Sequence, residues 1–157
     1  MIIIDGHNLL HSISKVGGDY GVLSELQLCL IISRYLRRNG ESGEIVFDGV
    51  GPADKSGFDN ISNMEISFAG QDSADTVIEH KIKANTAPKR LSIISSDRRL
   101  RRAAQARKAT AVKSENFWRD VQKRLRRKKT VKEPIEKYLG LTESETKQWL
   151  EYFGFEQ

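Results

Sequence analysis

The first eight residues, Met-Ile-Ile-Ile-Asp-Gly-His-Asn, constrain this chain more than any other stretch. Three consecutive isoleucines, Ile2 to Ile4, have no polar interruption. Such a run fits a strand buried on both faces, as in the middle of a parallel sheet. Asp5 ends the run, and Gly6 permits a sharp exit. In an open α/β sheet the ligand crevice lies at the carboxyl ends of the strands. Asp5 is therefore expected where chemistry takes place, provided other carboxylates arrive at the same edge.

The chain in order predicts β-α-β-β-α-β-α-β-α with mostly parallel strands. Residues 1–5 read as the first strand and residues 9–20 as a loop containing Gly17 and Gly18. A helix begins around Ser24, carries Leu26, Leu30, Ile31 and Tyr35 at helical spacing, and stops at Arg37-Arg38-Asn39-Gly40. A second strand, 44–47, ends on Asp48-Gly49; residues 50–60 are turn-rich, and a third strand covers 64–68. Ser73 is a suitable N-cap for a helix over 74–85. A fourth strand, 91–95, leads to Ser96-Asp97 and a very basic helix, 98–108. A short fifth strand, 110–112, precedes a second basic helix, capped by Ser114 and running to about Lys129. Pro134 then breaks the chain, and Thr142-Glu143-Ser144-Glu145 is a capping box for a tail helix with Trp149, Leu150 and Phe153 on its apolar face. This divides the chain into a domain over 1–130 and a helical tail over 131–157. The tail's apolar face has two readings, docking on the domain or binding a partner protein or second copy.

Composition excludes several classes. No apolar run approaches the roughly 20 residues of a membrane span, and the amino-terminal residues lack the pattern of a secretory signal. Cys29 is the only cysteine and sits between Leu28 and Leu30, which suits a buried small hydrophobe and rules out a thiolate metal site. A cytoplasmic location is expected. The net charge of +5 conceals an asymmetry. From Arg98 to Lys132 fifteen Lys or Arg face two acids, Glu115 and Asp120, a net of +13; the rest of the chain is net −8. A basic block beside an acidic body is a footprint for a polyanion, although two solvated helix faces would give the same counts.

Asp5, Asp48 and Asp97 each follow an apolar strand, while Asp72 and Asp75 stand at the entry to the helix after the third strand, with Glu79 one turn beyond Asp75. In a parallel sheet these ends share one edge. Carboxylates gathered there repel, and a divalent cation relieves the conflict. Mg²⁺ or Mn²⁺ takes oxygen ligands and retains waters for a substrate phosphate. The same acids can also cap turns or favour a helix dipole, and Glu79 can pair with Lys83. Asn8 can hold Asp5 or ligate through water. Ser95 and Ser96 can orient the site or contact phosphate. His7 is expected to point away from or over the cleft, and His11 and His80 to lie on the surface. No Ser-His-Asp arrangement and no P-loop are present.

Ile4-Asp5-Gly6-His7-Asn8, Val46-Phe47-Asp48-Gly49, Ser73-Ala74-Asp75-Thr76-Val77-Ile78-Glu79 and Ile94-Ser95-Ser96-Asp97 together resemble the NYN-domain nucleases, specifically the YacP-like group of the PIN-like superfamily. The resemblance covers about residues 1–125. It implies a three-layer α/β/α fold with a central, mostly parallel sheet. It also implies a metal-dependent endoribonuclease using Mg²⁺ or Mn²⁺ and leaving a 5′-phosphate and a 3′-hydroxyl. By that resemblance Asp5, Asp75 and Asp97 are the principal metal-binding acids; Asp48 and Glu79 match positions that join directly or through water. Asn8 matches the family's asparagine, and His7 replaces the aromatic often found before it.

On the first basic helix Leu100, Ala103 and Ala104 form the inward stripe, leaving Arg98, Arg101, Arg102 and Lys108 outside. Arg98 and Arg99 start this helix, within reach of a scissile phosphate. On the second, Phe117, Val121 and Leu125 face inward, and Arg119, Lys123, Arg126 and Arg127 face out. These residues are the expected RNA contacts, through phosphate and with little sequence preference. Trp118 is the best candidate for stacking on a base, against a core-packing alternative. Two rivals differ in class: a non-catalytic RNA- or ribosome-binding protein on the same fold, and a phosphatase acting on small phosphoesters, which lacks a nucleophile motif.

Overall fold

Alternate side chains of a strand leave on opposite faces, and Ile2 to Ile4 are buried in that way in the computed structural model, which describes residues 1–16 and 22–126. Strands β1 (Ile2–Asp5), β2 (Gly43–Phe47), β3 (Met64–Phe68), β4 (Ser92–Ile94) and β5 (Thr110–Val112) form one sheet in the order β3-β2-β1-β4-β5. All pairings are parallel, not merely most of them. β1 is central, with Ile2 opposite Gly43 on one side and Ser92 on the other.

The helices are α1 (Gly6–Val16), α2 (Glu25–Asn39), α3 (Ser56–Asp59), α4 (Ala74–Ala84), α5 (Arg98–Ala106) and α6 (Ser114–Arg126). Ile2, Ile4, Ile45, Phe47 and Ile94 pack with apolar residues of α1, α2 and α6 on one face of the sheet. Ile3, Val46 and Ile93 pack with α4 and α5 on the other. This is the three-layer α/β/α arrangement. Each fully buried isoleucine supplies about 2 kcal/mol of transfer free energy to it.

Several boundaries differ from expectation. The predicted loop over 9–20 is a helix as far as Val16: α1 starts directly at Gly6, and Leu9 and Ile13, four apart, bury its inner stripe. Asp5 makes the abrupt start feasible, because its Oδ1 accepts the Asn8 N–H at 3.3 Å at the open end of the helix. The turn-rich 50–60 segment contains α3. Ser114 is the first residue of α6 rather than its cap, and its hydroxyl is used elsewhere. Ser24 and Gln27 form a full capping box on α2, which ends on Gly40 in the left-handed conformation (φ 63°). Gly17, Gly18, Arg127, the predicted end near Lys129 and the 131–157 tail lie outside the described residues. Among the described residues no helix is long and apolar enough to cross a membrane.

The strand order places the switch point between β1 and β4: the chain leaving β1 returns at β2 on one side, and the chain leaving β4 returns at β5 on the other. A crevice at the carboxyl edge opens at such a point. Asp5 and the Ser95-Ser96-Asp97 turn border it.

Candidate active site

Asp5 is the most buried acid at this edge, 5% exposed. Its Oδ1 takes the Asn8 N–H and its Oδ2 takes the Ser95 hydroxyl at 3.1 Å. Burial is the main reason its pKa is raised to about 6; repulsion from Asp75 and Asp48 adds to this, while the Asn8 and Ser95 hydrogen bonds oppose it. Asp75, in the first turn of α4, is also raised, by burial first and then by Asp97 and Asp48. Acids from β1, β2, α4 and the β4–α5 turn thus feel one another, as the parallel sheet requires. Asp75 is the uncommitted member: it makes no hydrogen bond or ion pair with another described residue.

The other acids are anchored. Asp97 caps α5, its Oδ1 accepting the N–H groups of Arg99 at 2.7 Å and Leu100 at 3.1 Å. Asp48 Oδ1 accepts the Ala74 N–H at 2.8 Å, at the start of α4. Glu79 pairs with Arg99 and not with Lys83, through Nε and Nη2. The guanidinium beside it holds the Glu79 carboxyl below its usual range. Asp72 is exposed in the preceding turn, with no hydrogen bond to the other acids.

The serines and Asn8 form the wall. Ser95 is fully buried, donating to Asp5 and accepting the Asp97 N–H at 3.1 Å. Asn8 Oδ1 accepts the Ser96 N–H at 2.9 Å and the Ser114 hydroxyl at 2.7 Å. Ser96 Oγ donates to Glu115 Oε2 at 2.7 Å, the chief cause of that carboxyl's lowered pKa. Asn8 and the two serines therefore lock β1, the β4–α5 turn and α6 together. Glu115 and Ser114 were not legible as site residues; the only sign was a lone acid early in a basic helix. Glu25 was missed too: its Oε1 lies 2.7 Å from His7 Nε2. His7 consequently spans from α2 to Asp48 rather than pointing away.

Among the described residues no group of three or more His, Cys, Asp or Glu side chains stands close enough together to hold a metal ion by itself. The donors at the edge are nevertheless all oxygens. They match a hard cation that takes one or two carboxylates and completes its shell with water and substrate phosphate, the usual habit of Mg²⁺. They do not match a closed site of the zinc type.

The basic residues divide between layers. Arg98, Arg102 and Lys108 are exposed at α5, and Arg101 is half-buried there. Arg119, Lys123 and Arg126 are exposed on α6, where with Gln122 they line a groove of about 410 Å³. Since α5 and α6 cover opposite faces, the two basic surfaces flank the β5 edge, and both helices begin at the acidic end of the sheet. Trp118 is 2% exposed in the core, so it offers no face for a base.

A family model described as the YacP-like NYN domain matches residues 2–152. Among solved structures, Rae1 (YacP) from Bacillus subtilis is similar, with 20% identity, a TM-score of 0.64 and coverage of 98% of this chain and 87% of that one. A point mutant of Rae1 (YacP) from Bacillus subtilis gives 19% identity, a TM-score of 0.57 and 80% coverage of both chains. At these identities the likeness shows the fold. A search of curated proteins found no match.

Proposed function

This chain belongs to the YacP-like NYN domain family, and on that footing we propose that it is a metal-dependent endoribonuclease hydrolysing RNA phosphodiester bonds. The observation that supports the reading is positional: Asp5 ends β1, Asp48 follows β2 and holds the Ala74 N–H, Asp75 stands in the first turn of α4 and Asp97 caps α5, all at the carboxyl edge of one parallel sheet. A protein that only binds RNA gains nothing from placing unneutralised carboxylates beside a phosphate path. Asp5, Asp75 and Asp97 would share Mg²⁺ or Mn²⁺, in part through waters of its shell, with Asp48 in support. When bound, such an ion supplies charge neutralisation and an activated water.

The protein's own residues do the rest. Asn8 N–H and Ser95 Oγ fix the Asp5 carboxylate from two directions. Asp97 keeps Oδ2 clear because Oδ1 alone caps α5. Arg99 spends Nε and Nη2 on Glu79 and retains Nη1 for a phosphate oxygen. Arg98 and Arg102, with Arg119, Lys123 and Arg126 across the edge, attract the RNA backbone.

A non-catalytic RNA-binding module is the second reading, favoured by the exposed basic residues of α5 and α6. Labelled RNA incubated with purified protein in Mn²⁺ or EDTA separates the two. Cleavage in Mn²⁺ alone, lost in Asp75→Asn while RNA binding persists, is the expected result. Binding without cleavage under all conditions would leave only the second reading, and equal cleavage by Asp75→Asn would remove the acid from the mechanism.

A further inference from the structure

The His7 ring is held at both nitrogens. Nδ1 faces the Asp48 backbone N–H at 3.2 Å and the Asp48 Oδ2 at 3.4 Å; toward the N–H it is the acceptor, a role that the tautomer with its proton on Nε2 provides. Nε2 in turn meets Glu25 Oε1 at 2.7 Å, in the first turn of α2. The ring edge also packs on Phe47 with centroids 5.3 Å apart, which fixes its tilt. The same Asp48 whose N–H is gripped by His7 sends Oδ1 to the Ala74 N–H at 2.8 Å. Ala74 opens α4, and the next residue is Asp75.

We infer that Glu25 and His7 are positioning residues for Asp75, acting through Asp48. Glu25 holds the His7 ring from Nε2; His7 pins the end of β2; Asp48, so pinned, seats the first turn of α4 and thereby the Asp75 carboxylate. Exposure makes the linkage necessary. Asp48's side chain is 51% exposed, and it lies before two glycines with positive φ, Gly49 (78°) and Gly51 (74°), in a turn with little packing of its own. Among the described residues His7 alone accepts its backbone N–H. The same chain of contacts explains why Gly6 has no side chain: a Cβ there would collide with the Phe47 ring that supports His7.

The catalytic part of this inference rests on the ribonuclease reading, whereas the positioning part does not. The test pairs Glu25→Ala with Glu25→Gln, which keeps an acceptor for the Nε2 proton. In ¹⁵N-labelled full-length protein, long-range imidazole spectra are expected to show one His7 ring species with a proton held on Nε2 against Glu25. Glu25→Ala should replace that single species by a mixture and speed amide exchange at Ala74, and Glu25→Gln should restore both. In cleavage assays Glu25→Ala is expected to lower kcat about tenfold with KM for RNA little changed, and Glu25→Gln to recover most of the loss. If the wild type does not cleave RNA, the ribonuclease reading falls, and the spectra alone decide the inference. An unchanged His7 ring spectrum and unchanged Ala74 exchange in Glu25→Ala would overturn it whatever the activity.

Discussion

One guanidinium occupies both oxygens of the Glu79 carboxylate: Arg99 donates Nε to Oε1 and Nη2 to Oε2, the latter at 2.9 Å. Glu79 is therefore a holder of Arg99, one turn along α4 from Asp75. Glu79→Ala should let the guanidinium wander and weaken RNA binding on the order of fivefold, and Arg99→Lys should do the same, since an ammonium cannot span two oxygens. The Arg99 side chain is 60% exposed and that of Glu79 15%, so Arg99→Lys should barely move the melting temperature and Glu79→Ala should lower it only slightly. Filter binding at fixed salt, with parallel melts, checks this; a complete loss of cleavage in Glu79→Ala would instead mark Glu79 as a direct ligand.

Asp5 gives a pH prediction. Its pKa is raised to about 6 in the folded chain from the ordinary carboxylate value of 3.8. Folding favours the protonated form, so the stability it contributes is fully present below the unfolded value and lost as pH rises through about 6. Between about pH 4 and 7 the metal-free protein should lose stability on the order of 2 kcal/mol through this group, and Asp75 shifts in the same direction. Asp5→Asn should raise the melting temperature of metal-free protein near pH 7.5 but not near pH 4, while abolishing cleavage. Added Mn²⁺ should stabilise the wild type and not the variant. Thermal melts at the two pH values, with and without Mn²⁺, provide the measurement.

The basic surfaces on opposite faces predict two separable sets of phosphate contacts. Arg102→Glu on α5 and Lys123→Glu on α6 should each weaken RNA binding irrespective of sequence. Each should reduce the slope of log K against log salt by about one, and the double variant by about two. A short oligonucleotide that cannot cross the β5 edge should respond to only one of them. Titrations of long and short RNA over a salt series test the division.

Glu44 is 2% exposed within β2 and is compensated by Lys81 Nζ at 2.8 Å and the Ser67 hydroxyl at 3.1 Å. Removing the cation leaves a buried charge, so Lys81→Met should cost about 2 to 3 kcal/mol. The double variant Glu44→Gln, Lys81→Met should recover much of this. Urea denaturation near pH 7.5 measures both.

Much of the architecture was readable because buried parallel strands announce themselves: Ile2 to Ile4, Ile45 to Phe47 and Ile93-Ile94 are apolar on both faces, and the acids after them mark the shared edge. The helix over 6–16 was not, because its polar face, His7, Asn8, His11 and Ser14, masks an inner stripe of only Leu9, Ser12 and Ile13. The partners of His7 and Asn8 were equally hidden. Glu25 is eighteen residues from His7, and Ser114 is 106 from Asn8, spacings to which no local pattern is tied. Charge counting located the basic block but could not assign its two helices to opposite layers, which depends on where the chain crosses the sheet.

The position of β1 bears on how the molecule is made. β1 needs neighbours on both sides, yet Gly43 and Ser92, where those neighbours begin, follow it in the chain and emerge much later. At translation rates of about 5–20 residues per second, the isoleucine run of the nascent chain stays unpaired for seconds before its second flank exists. Until Ser92 has emerged, that run is an apolar strand with open edges, the feature of a growing chain most prone to pair with the wrong partner.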